Sequence, residues 1–176
     1  GTPGVSDPGG LVTALVTHYP LIRLEPIPGP SAVSAMTSIS GFEENSFVFR
    51  GFFPRSENET IELLNALKDA DITRNWIFFE SPNRIQDTIK ALQKWSESQE
   101  FEADFVFAKE LTKLHESIWR GRSKDFFALL NSKDLDTRGE WVVAVILPKS
   151  YVKTEKSESS WELALECLIQ AEISPK

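Results

Sequence analysis

Short apolar runs and amphipathic segments alternate along the chain, and this alternation is typical of an α/β protein. The continuous runs "NWIFFE", "DFVFAKE" and "WVVAVIL" predict strands that are covered on both faces of a sheet. "SFVFRGFF" predicts another strand, because Phe47, Phe49 and Phe53 stand at even spacing. The segment "LIRLEP" is also strand-like. We therefore expect an α/β fold in which helices flank a sheet.

Helix signals lie between the predicted strands. Asp7 is a good N-cap and Pro8 suits a first helical position, which predicts a helix that ends before Pro20. "IQDTIKALQKW" has the apolar spacing of an amphipathic helix that packs on a sheet. Two capping boxes precede apolar helical segments, Ser56 with Glu59 and Ser159 with Glu162.

Composition divides the chain into three segments, with predicted boundaries at residues 1–41, 42–148 and 149–176. The first is punctuated by glycine and proline, the second holds most strands, and the third begins with a polar linker before a helix. The opening "GTPGVSDPGG" has the composition of a join between a strand and a helix, and "ISPK" resembles a helix start. We therefore expect both ends to continue in a longer protein.

Charge and residue counts narrow the function classes. The net charge of −7 argues against non-specific coating of nucleic acid, although five basic and two acidic residues fall between Lys109 and Lys124. That segment is either a basic patch or a solvated face. No apolar run reaches membrane-spanning length, and the two histidines lack metal-ligand spacing. The single cysteine, Cys167, is compatible with a reducing cytoplasm. We expect no membrane segment and no metal site.

Three stretches place polar residues where open α/β sheets bind ligands, at strand ends that lead into helices. In "PIPGPSAVSAM" a turn at Pro28 and Gly29 would leave Ser31 and the first helical N–H groups free for a polar ligand. The plainer interpretation is that this is only a turn before a helix.

The other two stretches follow predicted strands. In "FFESPNRI", Glu80 ends a strand, Ser81 can cap a helix, Pro82 suits its first position and Arg84 follows. The alternative is a structural ion pair between Glu80 and Arg84. In "FAKELTKLHE" a strand gives way to charged residues that either form a site or share one solvated face, namely Lys109, Glu110, Lys113 and Glu116.

Seven blocks in order, "GTPGVSDPG", "PIPGPSA", "FRGFFPR", "FFESPNRI", "AKELTKLHE", "WRGR" and "RGEWVVAV", resemble the ribosomal small-subunit RNA 2'-O-ribose cytidine methyltransferases. These enzymes belong to the tetrapyrrole methylase-like superfamily. The resemblance implies two α/β domains with S-adenosylmethionine in the cleft between them. It implies that this chain holds a remnant of the amino-terminal domain and chiefly the carboxy-terminal α/β sandwich domain, a mixed sheet of about five strands with flanking helices. We accordingly expect the chain alone to bind S-adenosylmethionine weakly or not at all.

The resemblance also implies roles for individual residues. Those that would contact the cofactor are Gly1, Thr2, Pro3, Ser31, Ala32, Glu80 and Ala108. Those that would take part in catalysis are Glu110, Lys113 and Glu116, with Lys113 or Glu116 as a base for the ribose 2'-hydroxyl. Those that would contact RNA are Arg84, Lys109, Arg120 and Arg122.

The sequence departs from the family pattern at two of these places. Asn83 stands where the family usually has histidine, and Lys109 stands where it usually has arginine. The implied substrate is small-subunit ribosomal RNA or the 30S particle, in the cytoplasm, and a homodimer is an open alternative to a monomer. Two other functions stay open: a methylase of small tetrapyrrole-like substrates, and a non-catalytic α/β module that binds RNA or protein.

Overall fold

Five strands form one mixed sheet in the computed structural model, which describes residues 9–122, 127 and 135–149. The strands are β1 (Val48–Phe52), β2 (Asn75–Glu80), β3 (Asp104–Lys109), β4 (Ser117–Arg122) and β5 (Trp141–Ile146). The helices are α1 (Gly10–His18), α2 (Ala32–Ile39), α3 (Glu57–Ala70) and α4 (Ile85–Glu97). The predicted α/β sheet with flanking helices is confirmed.

The strand order is β1-β2-β5-β3-β4. Strand β1 is parallel to β2, whereas β5 is antiparallel to both β2 and β3, and β4 is antiparallel to β3. Strands β1, β2 and β3 therefore run in one direction and end at one edge of the sheet. We call this the carboxyl edge, and we call the opposite edge, where these three strands begin, the amino edge.

The two faces of the sheet are packed differently. Large aromatic side chains such as Trp76, Phe78 and Trp141 fill the face under α3 and α4. Small side chains such as Ala108 and Ala144 lie on the other face, together with Met36 of α2. Because β2, β3 and β5 are buried on both faces, their sequences show continuous apolar runs instead of alternation.

The local helix signals are confirmed in part. Helix α3 has the predicted capping box, in which the Ser56 hydroxyl accepts from the Glu59 N–H and the Glu59 carboxylate accepts from the Ser56 N–H. Helix α1 ends before Pro20 as predicted, but it begins at Gly10 with Gly9 as N-cap. The predicted start at Asp7 and the predicted helix after residue 159 lie outside the described residues. The predicted boundaries at residues 41 and 149 stay predictions.

The segment "LIRLEP" is not a strand, and this prediction was wrong. Residues 22–31 have no regular secondary structure, and the predicted turn at Pro28 and Gly29 is absent. Prolines at every second position, Pro26, Pro28 and Pro30, remove the N–H groups that would pair with a neighbouring strand. The segment is exposed, with the Ile27 side chain 92% accessible to solvent.

A bulge in β1 changes which face its phenylalanines occupy. The register with β2 shifts between Phe49 and Phe52, and Gly51 has a φ of 73°. As a result Phe49 packs on the α2 face, whereas Phe53 stacks on Phe78 on the other face with ring centroids 4.0 Å apart. The even spacing of the phenylalanines would place them on one face of a regular strand. The extra residue of the bulge moves Phe53 to the other face.

We predict that Gly51→Ala lowers the free energy of unfolding by about 1–2 kcal/mol, because a Cβ disfavours a left-handed backbone. No atom lies within 4 Å of the position that the new Cβ would occupy, so strain is the only cost. Gly29→Ala is the matched control, since that position has space and no positive φ. Chemical denaturation of both variants is the measurement. Equal stability of the two would contradict the bulge.

Candidate functional site

A buried carboxylate ends β2 at the carboxyl edge. The Glu80 side chain is fully enclosed, and its oxygens accept two hydrogen bonds and form an ion pair. The hydrogen-bond donors are the Ser81 N–H at 2.6 Å and the Thr88 hydroxyl at 2.7 Å, and the ion-pair partner is the Arg84 guanidinium at 2.7 Å. These donors and the opposite charge of Arg84 offset the cost of removing the carboxylate from water.

The guanidinium of Arg84 is turned into the protein. Besides Glu80, it donates to the carbonyls of Phe53 at 3.1 Å and Pro54 at 3.3 Å. Arg84 therefore ties the end of β1 to the end of β2. Of the two interpretations offered by the sequence, the structural ion pair is the one observed.

The residues between Glu80 and α4 form a turn instead of the first turn of the helix. Both the Arg84 and Ile85 N–H groups donate to the Ser81 carbonyl at 3.1 Å. Helix α4 begins at Ile85 with Arg84 as N-cap, and no side chain caps it. The prediction that Ser81 caps the helix and Pro82 starts it was wrong, because the Ser81 hydroxyl accepts from the Arg84 Nε at 3.3 Å instead of from a backbone N–H.

A buried ammonium ends β3. The Lys109 side chain is 8% exposed, and its Nζ lies 2.9 Å from a carboxylate oxygen of Asp136 and 3.2 Å from the Asp136 carbonyl. Arg138 also donates to Asp136, and the bonds from Arg138 and then Lys109 hold the pKa of Asp136 well below its ordinary value. The same pair raises the pKa of Arg138. The segment before β5 is thereby fixed to β3.

The loop after β3 carries the three residues that the resemblance assigns to catalysis. Glu110 exchanges backbone hydrogen bonds with Glu140: its N–H donates to the Glu140 carbonyl at 2.9 Å, and its carboxylate accepts from the Glu140 N–H at 2.7 Å. Lys113 donates to the carboxylates of Glu110 at 3.1 Å and Glu140 at 2.7 Å. Glu116 accepts from the Thr112 N–H at 2.6 Å. The structure therefore brings Glu110 and Lys113 into direct contact.

These contacts set the protonation states of the loop. Bonds from the Glu140 N–H and from Lys113 lower the pKa of Glu110. Bonds to Glu140 and Glu110 raise the pKa of Lys113. Both groups are accordingly charged at neutral pH, and Lys113 is a hydrogen-bond donor and a cation rather than a ready proton acceptor.

Close packing holds the loop against the segment before β5. Glu110 and Thr112 have positive φ angles of 50° and 67°. Gly139 has a φ of 109°, and a Cβ there would come within 2.7 Å of the Glu110 Cγ. Sequence reasoning gave no role to Asp136, Gly139 or Glu140. The feature of the sequence that could have indicated such a role is the polar triplet "RGE" directly before the apolar run of β5.

The proposed cofactor residues are spread over both faces of the sheet. Ser31 and Ala32 are exposed at the start of α2, where the Ser31 hydroxyl accepts from the Ser34 N–H at 3.4 Å. Ala108 is fully buried on the α2 face, whereas Glu80 is buried under α4. The remaining predicted cofactor residues, Gly1, Thr2 and Pro3, lie outside the described residues.

The predicted basic patch is divided between the two edges of the sheet. Ser117 pairs with Lys109 at the carboxyl edge, whereas Arg122 pairs with Asp104 at the amino edge. Five residue steps of a strand correspond to about 17 Å. Arg122 is therefore remote from the loop of Lys113, Arg120 lies about 10 Å along β4 from Ser117, and Lys124 lies outside the described residues.

Two kinds of feature are absent from the described residues. Within the ranges 9–122 and 135–149, no helix combines the length and apolar character needed to cross a membrane. Over the same described part of the chain, no group of three histidine, cysteine or acidic side chains is placed to hold a metal ion.

Comparison with known proteins gives consistent similarities. Residues 1–126 match the family of Tetrapyrrole (Corrin/Porphyrin) Methylases. The chain is 31% identical over 180 residues to Ribosomal RNA small subunit methyltransferase I of Helicobacter pylori strain J99, covering 100% of this chain and 57% of that protein. It is 34% identical over 134 residues to the protein of that name from Thermotoga maritima, covering 76% of this chain and 56% of that protein.

A further relative and a solved structure agree with these matches. The protein of the same name from Mesorhizobium japonicum is 38% identical over 149 residues, covering 82% of this chain and 47% of that protein. The chain thus spans about half the length of these relatives. The crystal structure of the methyltransferase CobJ superposes with a TM-score of 0.52 at 17% identity, covering 84% of this chain and 62% of that one, which indicates a shared fold.

We predict that Arg84→Ala lowers the free energy of unfolding by about 3–5 kcal/mol, because it leaves the buried Glu80 carboxylate without its counter-ion. Arg55→Ala, at an exposed position of the adjacent loop, should change it by less than about 0.5 kcal/mol. Denaturant titration of both variants tests this. Equal losses would mean that the Arg84 bonds contribute little to stability.

We predict that Glu110→Gln makes the protein less sensitive to acid. The folded-state pKa of Glu110 is lowered from 4.5, so its contribution to stability is present above that pH and is lost as pH falls through the lower value. The variant should be less stable than the wild type at about pH 7 and should lose less on transfer to about pH 3.5. Glu62→Gln, on an exposed part of α3, is the control for thermal melts at both pH values. An unchanged pH dependence in Glu110→Gln would refute the assignment.

Proposed function

Because the chain belongs to the tetrapyrrole methylase family, as its motifs predicted, we propose that it is part of an S-adenosylmethionine-dependent methyltransferase of small-subunit ribosomal RNA. The observation that carries this proposal is the match to relatives named Ribosomal RNA small subunit methyltransferase I over most or all of the chain. The proposed reaction transfers a methyl group to the ribose 2'-hydroxyl of a cytidine. Such a substrate would place the protein with the ribosomal subunits in the cytoplasm.

The start of α2 is the described feature that best fits the cofactor. The first N–H groups of a helix have no partner within the helix, and they favour a negatively charged group such as the cofactor carboxylate. Ser31 and Ala32 are both exposed there. We propose that these two residues hold the carboxylate end. When bound, S-adenosylmethionine supplies the electrophilic methyl group.

Glu80 and Ala108 fit direct cofactor contact less well. Both side chains are buried, and the Glu80 oxygens already accept two hydrogen bonds and pair with Arg84. We propose that Glu80 acts by fixing the ends of β1 and β2 through Arg84. A cofactor contact by Glu80 or Ala108 stays a prediction, as do those of Gly1, Thr2 and Pro3.

The loop after β3 supplies the groups nearest to the expected chemistry. Its contacts with Glu110 and Glu140 keep Lys113 protonated, so we propose that Lys113 stabilises negative charge on the ribose oxygen or on a neighbouring phosphate. One Glu116 oxygen accepts from the Thr112 N–H, and the side chain is exposed. We therefore propose Glu116 as the proton acceptor and Glu110 as the residue that positions Lys113.

The residues predicted to contact RNA fall into two groups. The described hydrogen bonds and ion pairs of Arg84 and Lys109 are made to other groups of the protein. We therefore propose that these two residues position the strand ends. Arg120 and Arg122 are exposed on β4 and are proposed to contact RNA. Formation of a homodimer stays a prediction.

We predict that Lys113→Ala lowers kcat/KM for methylation of 30S subunits by about 10²-fold, whereas Lys113→Arg keeps most of the activity because it keeps the cation. The assay uses full-length protein, 30S subunits that lack the modification, and S-adenosylmethionine labelled at the methyl group. Lys90→Ala, on the exposed face of α4, is the control.

Three outcomes of this assay are distinguishable. Equal loss in Lys113→Arg and Lys113→Ala, with a shifted pH profile, would show that Lys113 is the base. Absence of methyl transfer to 30S by the wild type would refute the proposed function, and methylation of a tetrapyrrole instead would establish the alternative. Calorimetry on Gly1–Lys176 and on the full-length protein tests the expected weak cofactor binding of the shorter chain.

A further inference from the structure

A groove of about 570 Å³ opens at the amino edge of the sheet, opposite the candidate site. It lies between the end of α2, the starts of β2 and β3, the end of β4 and the residues after β5. We call it the basic groove, and its charged lining residues are Glu43, Arg74, Asp104, Arg120, Arg122 and Lys149. None of the roles proposed above uses Arg74 or Lys149.

The balance of charge in the basic groove is opposite to that of the chain. Four cations and two acids line it, whereas the whole chain carries a net charge of −7. Two of the cations are paired: Lys149 lies 2.7 Å from Glu43, and Arg74 bonds to Glu44. Arg122 lies 3.7 Å from the lining acid Asp104, so Arg120 is the lining cation without an acidic partner in the contacts described, and Arg122 is the one whose acidic partner lies beyond hydrogen-bond distance.

Neither of these arginines is hydrogen-bonded to a carboxylate in the contacts described. Arg120 donates through Nε and Nη2 to the carbonyl of Ile39, an uncharged acceptor at the end of α2, at 3.3 and 3.0 Å. The Nε of Arg122 is 3.7 Å from an Asp104 oxygen, beyond hydrogen-bond distance, and the Arg122 side chain is 72% exposed. Both guanidinium groups therefore retain donors for an external acceptor.

The floor of the basic groove is rigid. The Asn75 amide donates to the Ser46 carbonyl at 2.9 Å, and the Thr73 hydroxyl donates to the same carbonyl at 2.9 Å. The Leu147 N–H donates to the Arg74 carbonyl at 2.9 Å, which joins the end of β5 to the start of β2. A ligand would therefore meet preformed walls, so little conformational entropy would be lost on binding.

The position of the two arginines favours an extended polyanion over a small anion. Arg120 and Arg122 are two residues apart on β4, so they lie on the same face. Strand β4 is the edge strand of the described sheet beside β3. The N–H groups of alternate β4 residues therefore point away from β3. Phosphate oxygens accept hydrogen bonds from arginine and from backbone N–H groups alike.

We propose that the basic groove binds the phosphate backbone of RNA, as a second anchoring site about 17 Å along β4 from the candidate catalytic loop. This inference rests on the proposed function, because it takes the substrate to be RNA. An RNA strand that follows β4 would contact Lys113 near Ser117 at one end and Arg122 at the other.

The test measures binding of a fluorescein-labelled single-stranded RNA of about 16 nucleotides to the full chain by fluorescence anisotropy. The double variant Arg122→Glu with Lys149→Glu should raise Kd about tenfold or more and flatten the dependence of log Kd on log salt by about one to two units. The matched control is Lys90→Glu with Lys94→Glu, an equal charge change on exposed residues of α4. Thermal melts confirm that both variants fold.

Equal weakening in the control, or an unchanged Kd and salt slope in the groove variant, would overturn the inference. Displacement of the RNA by poly-glutamate as effectively as by unlabelled RNA would also overturn it, because the groove would then be a surface for acidic protein segments. Methylation of 30S subunits by the full-length protein separates the two proposals. Wild-type kcat/KM in the groove variant would refute the anchoring site and the RNA contact proposed for Arg122 but not the proposed methyl transfer, whereas RNA binding through the groove without methyl transfer by the wild type would refute the methyl transfer alone.

Discussion

Strand β5 pairs through all six of its residues with β2 on one side and with β3 on the other. Trp141 is the residue opposite both Glu80 and Lys109, so one buried tryptophan separates a buried carboxylate from a buried ammonium. Because β5 is antiparallel to both neighbours, β2 and β3 run in the same direction and end at the same edge of the sheet, one on each side of β5. The polar residues that follow these two strands, distant in sequence, are brought to one edge by this pairing.

Burial on both faces requires that every charge at the strand ends has a partner. Glu80 obtains its partners from the following turn and α4, and Lys109 obtains them from Asp136 before β5. These bonds bury the Lys109 side chain, leave the Arg84 side chain 29% exposed and fix the strand ends. The exposed charges at this edge include Lys113 and Glu116 of the loop after β3 and Arg138 and Glu140 before β5, so rigid strand ends support accessible charged groups.

The elements that the sequence predicted correctly are those whose determinants are local. The runs of β2, β3 and β5 reflect burial on both faces, and the Ser56 capping box needs only residues three apart. The missed features depend on contacts between distant residues. The Arg84 guanidinium bonds to Phe53, 31 residues away, and Lys109 bonds to Asp136, 27 residues away. Likewise, the basic residues from Lys109 to Arg122 look contiguous in sequence, but β4 carries the two arginines to the opposite edge of the sheet.

An acidic chain that binds RNA must do so at restricted places, because most of its surface repels phosphate. The loop of Lys113 precedes the start of β4 and Arg122 lies at its end, and the strand between them keeps a fixed distance of about 17 Å. A single region of this size gives weak binding to any phosphate. Under the proposed function, simultaneous contact with Lys113 and Arg122 would require an RNA strand of suitable length and direction. Selectivity would then come from the spacing of a few cations on a rigid strand rather than from a large positive surface.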